Sequence, residues 1–128
     1  MTDKRCIIMN SQKGRLPRLP FCELKDKILG EEYELSLVFV TDTASRALNE
    51  KHRRKRKVAN VLAFPLSSDE GEIFIAPKKA AKDSVQFAMP PRRFLAYLFI
   101  HGLFHLKGLR HGSTMEKNEQ RLLKEYKI

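Results

Sequence analysis

Read for hydrophobic periodicity, the chain alternates short apolar runs with polar punctuation. Arg5 to Met9 predicts a first strand and Asn10 to Gly14 a loop. Between Pro17 and Leu29 the residues Leu19, Phe21, Cys22, Leu24, Ile28 and Leu29 recur at near-helical spacing, and Gly30 supplies a stop, so the spacing predicts a helix there. Tyr33 to Val40 alternates and then turns fully apolar, as an interior strand does. Thr41-Asp42-Thr43 supplies helix caps, and a helix through Ala44, Leu48 and Asn49 follows. Val58 to Leu66 and Glu72 to Ala76 predict two further strands around the turn Ser67 to Gly71. Lys78 to Phe87, a strongly apolar segment after Pro90-Pro91, and Ser113 to Tyr126 predict three helices, the last docking through Leu122, Leu123 and Tyr126. Four short strands with helices only after the last one give an α+β class: a single domain over 1–128, built on one small mixed four-stranded sheet packed with helices.

The segment after Pro90-Pro91 carries Phe94, Leu95, Tyr97, Leu98, Phe99, Ile100, Leu103 and Phe104, the pattern of a buried helix, and it also carries His101 and His105. Residues four apart on a helix share a face, so these two imidazoles can turn toward one point. Gly108 can take positive φ, end the helix and let the chain bring His111 back as a third nitrogen ligand. Three of the four histidines thus stand in one short window, spaced as in the extended zinc motif of zincin-like metalloproteases. One position differs. Those proteases place a glutamate after the first histidine as general base, and Gly102 stands there, which disfavours a peptidase. The competing reading is that these are ordinary histidines capping a helix end, the preferred one for a lone histidine, but three of four in one window favour a metal.

Charge and cysteines add to this picture. The chain has 25 Lys and Arg against 15 Asp and Glu, a formal +10, which suits a polyanionic partner such as nucleic acid but fits solubility or a membrane surface too. The densest run is Lys51-His52-Arg53-Arg54-Lys55-Arg56-Lys57, whose plain reading is a solvated loop. Cys6 and Cys22 are far apart in sequence, without the spacing of a zinc knuckle or redox pair, and are expected as reduced structural thiols. No apolar stretch is long enough for a signal peptide or a bilayer span, so a cytoplasmic protein without a membrane partner is expected.

His101-Gly102-Leu103-Phe104-His105-Leu106-Lys107-Gly108-Leu109-Arg110-His111 resembles the hallmark His-Gly-x-Leu-His-Leu-x-Gly-Tyr-Asp-His of the YbeY family of bacterial rRNA maturation factors, single-strand-specific metal-dependent endoribonucleases. Upstream, Leu48-Asn49-Glu50-Lys51-His52-Arg53, Ala59-Asn60-Val61-Leu62-Ala63-Phe64-Pro65 and Gly71-Glu72-Ile73-Phe74-Ile75 follow the family's Leu-Asn-x-x-Tyr-Arg, Thr-Asp-Val-Leu-Ser-Phe-Pro and Gly-Asp-Ile-x-Ile. The departures are His52 for Tyr, Ala59 for Thr, Ala63 for Ser, Phe104 for Leu, Glu72 for Asp, and Leu109-Arg110 for Tyr-Asp. The resemblance implies one zinc ion on His101, His105 and His111, with Arg53 as catalytic residue. It implies single-stranded RNA, in particular rRNA, as substrate, and small-subunit ribosomal proteins as further partners. The residues offered for RNA phosphates are Arg53, Arg54, Lys55, Arg56, Lys57, Arg92 and Arg93. A second reading is a non-catalytic rRNA-binding assembly factor whose metal is structural, and a third is a metallohydrolase with another substrate.

Overall fold

A computed structural model of the chain describes residues 5–109 and 112–128. Its elements are β1 (Cys6–Asn10), α1 (Phe21–Leu29), β2 (Glu34–Phe39), α2 (Asp42–Arg53), β3 (Val61–Ser67), β4 (Glu70–Ile75), α3 (Pro77–Ser84), α4 (Pro91–Leu106) and α5 (Ser113–Glu125). The strands form one mixed sheet in the order β1-β2-β4-β3, with β1 parallel to β2, β2 parallel to β4, and β3 antiparallel to β4. The expected α+β architecture is the observed one.

Alternation along the strands sorts the two faces of the sheet. Leu35, Leu37 and Phe39 of β2 and Ile73 and Ile75 of β4 point to one face, where they meet Phe21, Leu24 and Ile28 of α1, Phe99, Ile100 and Leu103 of α4, and Leu122 and Leu123 of α5 in the main core. The opposite face is smaller: Val38 and Phe74 pack with Val40, Ala44, Val58 and Ala76. Helix α4 is buried along nearly its whole length. Gly102 eases this approach to the sheet, because a Cβ there would stand 3.1 Å from Ile73 Cδ1 and press on it. Gly71 does the same beneath Tyr33, whose hydroxyl a Cβ would strike.

Local chemistry sets the boundaries. The N-cap Thr41 accepts a hydrogen bond from the Ala44 N–H at 3.1 Å, as its sequence position suggested. Helix α1 begins at Phe21 rather than Pro17: its N-cap Pro20, at φ −80° and ψ 63°, sits in a tight turn in which the Phe21 N–H donates to the Leu19 carbonyl at 2.9 Å. It ends against Lys25, a fully buried lysine whose ammonium is satisfied by Asp26 Oδ1 at 2.8 Å and by the carbonyls of Gly30 and Glu31 at 3.2 Å. Helix α3 stops at Ser84, short of the expected Phe87, in a turn that closes with Ala88 at φ 52°.

The cysteines correct the sequence expectation. Cys6 and Cys22 form a disulfide, not a pair of reduced thiols. Separation along the chain misled here, because the first turn of α1 comes back across the start of β1 and brings the two Cα atoms within 5.7 Å. Among the described residues no helix is long and apolar enough to cross a membrane.

Tyr33 generates a test of this packing. Burial first, then Asp69 and Glu70, push its phenol above the ordinary value of 10.0. The native state therefore keeps a proton that the unfolded chain releases near pH 10, so this contribution to stability is complete below pH 10 and is lost as pH rises through the raised value. Urea unfolding across the alkaline range should show the wild type losing stability faster than Tyr33→Phe, and parallel curves would refute the assignment.

Candidate active site

Two imidazoles on one helix are the centre of the site. His101 and His105 lie one turn apart on α4, and their Nε2 atoms approach to 3.0 Å with the rings nearly perpendicular. Two nitrogens bound to one zinc ion at about 2.0–2.1 Å in a tetrahedral arrangement stand about 3.3 Å apart, so the pair is close to what a divalent ion requires. On its other side His101 presents Nδ1 to Glu119 Oε2 at 2.6 Å. A carboxylate accepts, so Nδ1 carries a proton and Nε2 is the nitrogen turned toward His105. This carboxylate–histidine arrangement is the usual support of a metal-ligating imidazole, and the donor set therefore fits a metal.

Glu119 was not anticipated from the sequence, yet a signal existed. Met115, Glu119, Leu122 and Leu123 are the buried face of α5, so a carboxylate occupies an apolar stripe at helical spacing. With only 2% of its surface exposed it needs a partner, and His101 is that partner. The same carboxylate, after burial and before Glu116, helps hold the phenol of Tyr97 above its usual range.

The end of α4 follows the expected design. Gly108 takes φ 95°, the Gly108 N–H donates to the His105 carbonyl at 2.9 Å, and the Leu109 N–H to the Phe104 carbonyl at 3.0 Å. These two bonds make a Schellman ending that turns the chain back toward α5. His111 and Arg110 lie outside the described residues. Among the described residues no group of three His, Cys, Asp or Glu side chains is arranged to hold an ion.

Arg53 shares a cavity with the histidines. At the last position of α2, it lines with Val61, Leu62, Ala63, His101, Gly102 and His105 a cavity of ≈ 520 Å³ beside the outer strand β3. Helix α2 packs on the other face of the sheet, where His52 lies 4.8 Å from Phe64, and so Arg53 is delivered from beyond the β3 edge. The basic loop after it is tied down. Ser45 Oγ donates to the Ala59 carbonyl at 2.6 Å and accepts from its N–H at 3.0 Å, while Asn49 Nδ2 donates to the Lys57 carbonyl at 2.9 Å.

The remaining basic residues divide. Lys55 and Lys57 line a groove together with Arg53. Arg54 caps α2 in the left-handed conformation, and exposed Arg56 pairs with Glu50 at 3.3 Å. Arg92 and Arg93 sit at the opposite end of α4 from His105: Arg92 donates to the Arg18 carbonyl at 3.0 Å, and Arg93 to the Ile128 carbonyl at 2.6 Å. Glu72 alternates with Ile73 and so points to the sheet face away from α4, outside the histidine cavity.

Two imidazoles facing a guanidinium across a polar cavity define a site suited to hydrolysis of a phosphate-bearing substrate. Comparison with known proteins narrows the class. Residues 17–127 match the family model described as Endoribonuclease YbeY. The Endoribonuclease YbeY of Finegoldia magna is 33% identical over 117 residues, 82% of this chain and 76% of that protein. That of Clostridioides difficile is 30% identical over 107 residues, 75% of this chain and 70% of that protein. The solution structure of TM1509 from Thermotoga maritima superposes with a TM-score of 0.66 at 23% identity, covering 94% of this chain and 88% of that one, a likeness of fold. The chain belongs to the YbeY family of RNA-cleaving hydrolases.

The Glu119 contact predicts a measurable ring state. In Glu119→Ala, NMR of the ring nitrogens should show His101 losing the Nδ1–H tautomer that dominates the wild type, with the fold retained. An unchanged tautomer would show that the contact does not orient the ring.

Proposed function

We propose that this chain is a zinc-dependent, single-strand-specific endoribonuclease acting in rRNA maturation and ribosome quality control in the cytoplasm. The observation that carries the reading is the convergence of His101 and His105 on the cavity that also contains Arg53. His101 and His105, with His111 as the third ligand, would hold one zinc ion. When bound, such an ion supplies Lewis acidity to a phosphate oxygen and lowers the pKa of water.

The chain's own residues do the rest. Arg53 donates to a non-bridging phosphate oxygen and stabilises the charge that grows on it. Glu119 holds the His101 ring so that Nε2 faces the cavity. Gly102 gives up a proton-transferring side chain in exchange for close packing on Ile73, and among the described residues none that lines the cavity is a carboxylate. The reading is therefore a base-free one, in which water or the RNA's own 2′-hydroxyl attacks the phosphate, the P–O bond to the departing ribose oxygen breaks, the nucleophile's proton passes through solvent to that oxygen, and turnover is slow. Unpaired RNA suits a cavity bordered by an edge strand, because only a single strand can lay its backbone along it. Lys55 and Lys57 add the sequence-independent phosphate attraction, which weakens as salt rises.

Metal analysis and cleavage of one single-stranded RNA by folded variants test the reading together. The wild type should carry about one zinc per chain, and His105→Ala should lose it. Glu119→Ala should bind zinc about tenfold to a hundredfold more weakly. Cleavage should fall by about a hundredfold or more in Arg53→Ala and His105→Ala and persist in Glu72→Gln. Near-zero zinc in both wild type and His105→Ala would end the metal assignment, and a Glu72→Gln protein as inactive as His105→Ala would overturn the base-free route. RNA binding without cleavage by the zinc-loaded wild type would favour the non-catalytic assembly factor.

A further inference from the structure

The histidine cavity does not end at Arg53. Arg53 and Val61 also line a second groove of ≈ 400 Å³, which runs past Lys55 and Lys57 of the basic loop and past Asn60 and Lys79 to Phe87. We propose that this groove is a nucleotide subsite for single-stranded RNA beside the cleavage position, with Phe87 as the platform on which an unpaired base stacks and Lys55 and Lys57 as its phosphate contacts. The proposal rests on the endoribonuclease reading and adds to it the place where a base is held.

Phe87 has the attributes of a platform. It is 57% exposed although it is a large aromatic in a groove, and its ring is stacked 5.1 Å from Phe94, which is itself buried to 1% exposure. Its backing is therefore rigid and its outer side is open to a ligand. The turn that presents it is also ordered: the Phe87 N–H donates to the Ser84 carbonyl, and the Ala88 and Met89 N–H groups donate to Val85 and Ser84. From Phe87 a single row of rings runs through Phe94, Tyr97 and His101 to His105, with centroids 4.5–6.0 Å apart. The platform and the histidine pair are thus joined by one helix stripe and by a shared cavity wall.

The electrostatics agree with a polyanion here. Asp83 is the acidic side chain of the groove, and its carboxylate is already engaged by Lys79 at 3.0 Å and by Asn60 at 3.1 Å. Exposed Lys55 and Lys57 stand on the loop that Ser45 and Asn49 fix in place. A basic track with an aromatic shelf is what a single strand needs and what a duplex, with its bases already stacked, cannot use.

The chain has no tryptophan, so Phe87→Trp introduces a sole reporter at the platform. Titration with a short unstructured oligoribonucleotide should quench it, with the same saturation curve as fluorescence anisotropy of the labelled RNA. An oligomer of abasic riboses and an RNA duplex should leave it unquenched. Phe87→Ala should bind the single strand about tenfold more weakly, and Phe87→Tyr should restore binding. If wild type and Phe87→Ala bind equally and the tryptophan stays unquenched, the subsite is wrong and the endoribonuclease reading stands. If the wild type binds no single-stranded RNA at any salt, both fail.

Discussion

The closeness of α4 to β4 is the constraint on which the domain turns. A helix that buries Phe94, Leu95, Ala96, Leu98, Phe99, Ile100, Leu103 and Phe104 must press against its neighbours on several sides at once. Contact with Ile73 is possible because Gly102 has no side chain. The same contact limits the chemistry. A side chain at position 102 would leave the helix against Ile73, which would have to give by a few tenths of an ångström, so the place of the glutamate that carries the proton in the protein-cleaving motif is taken here by close packing.

That coupling explains why Arg53 arrives from elsewhere. The helix that carries the imidazoles is committed to the core, and the sheet behind it is apolar on the facing side. Positive charge has to come round the outer strand, from the end of a helix on the opposite face. Ser45 and Asn49, both buried, hold the loop that follows by its backbone rather than by its charges, which leaves Lys55 and Lys57 at the surface. A loop of like charges would otherwise repel itself into disorder.

Much of this was legible in the residues. The order of strands and helices, the Thr41 cap, the helical pair His101 and His105, and the helix-ending Gly108 all rest on local rules of spacing and backbone conformation, which a sequence displays directly. What it did not display depends on tertiary proximity. Glu119 is separated from His101 by a turn and half a helix, Cys6 meets Cys22 only because α1 doubles back, and Phe87 reads as the tail of a helix until that helix is seen to stop at Ser84. Arg92 and Arg93 were offered as phosphate contacts by charge, and the carbonyls of Arg18 and Ile128 that they also hold could not be read from the sequence.

The disulfide has a consequence for how the molecule opens. As an edge strand with one neighbour, and with Ile7, Ile8 and Met9 partly exposed, β1 would ordinarily be the first element to fray. Its first residue is bonded to α1, and α1 packs through Phe21 on Phe99 of the central helix, with ring centroids 5.1 Å apart. Peeling the strand away therefore drags on the core. The N-terminal edge is thereby fastened to the same core that holds the histidine helix.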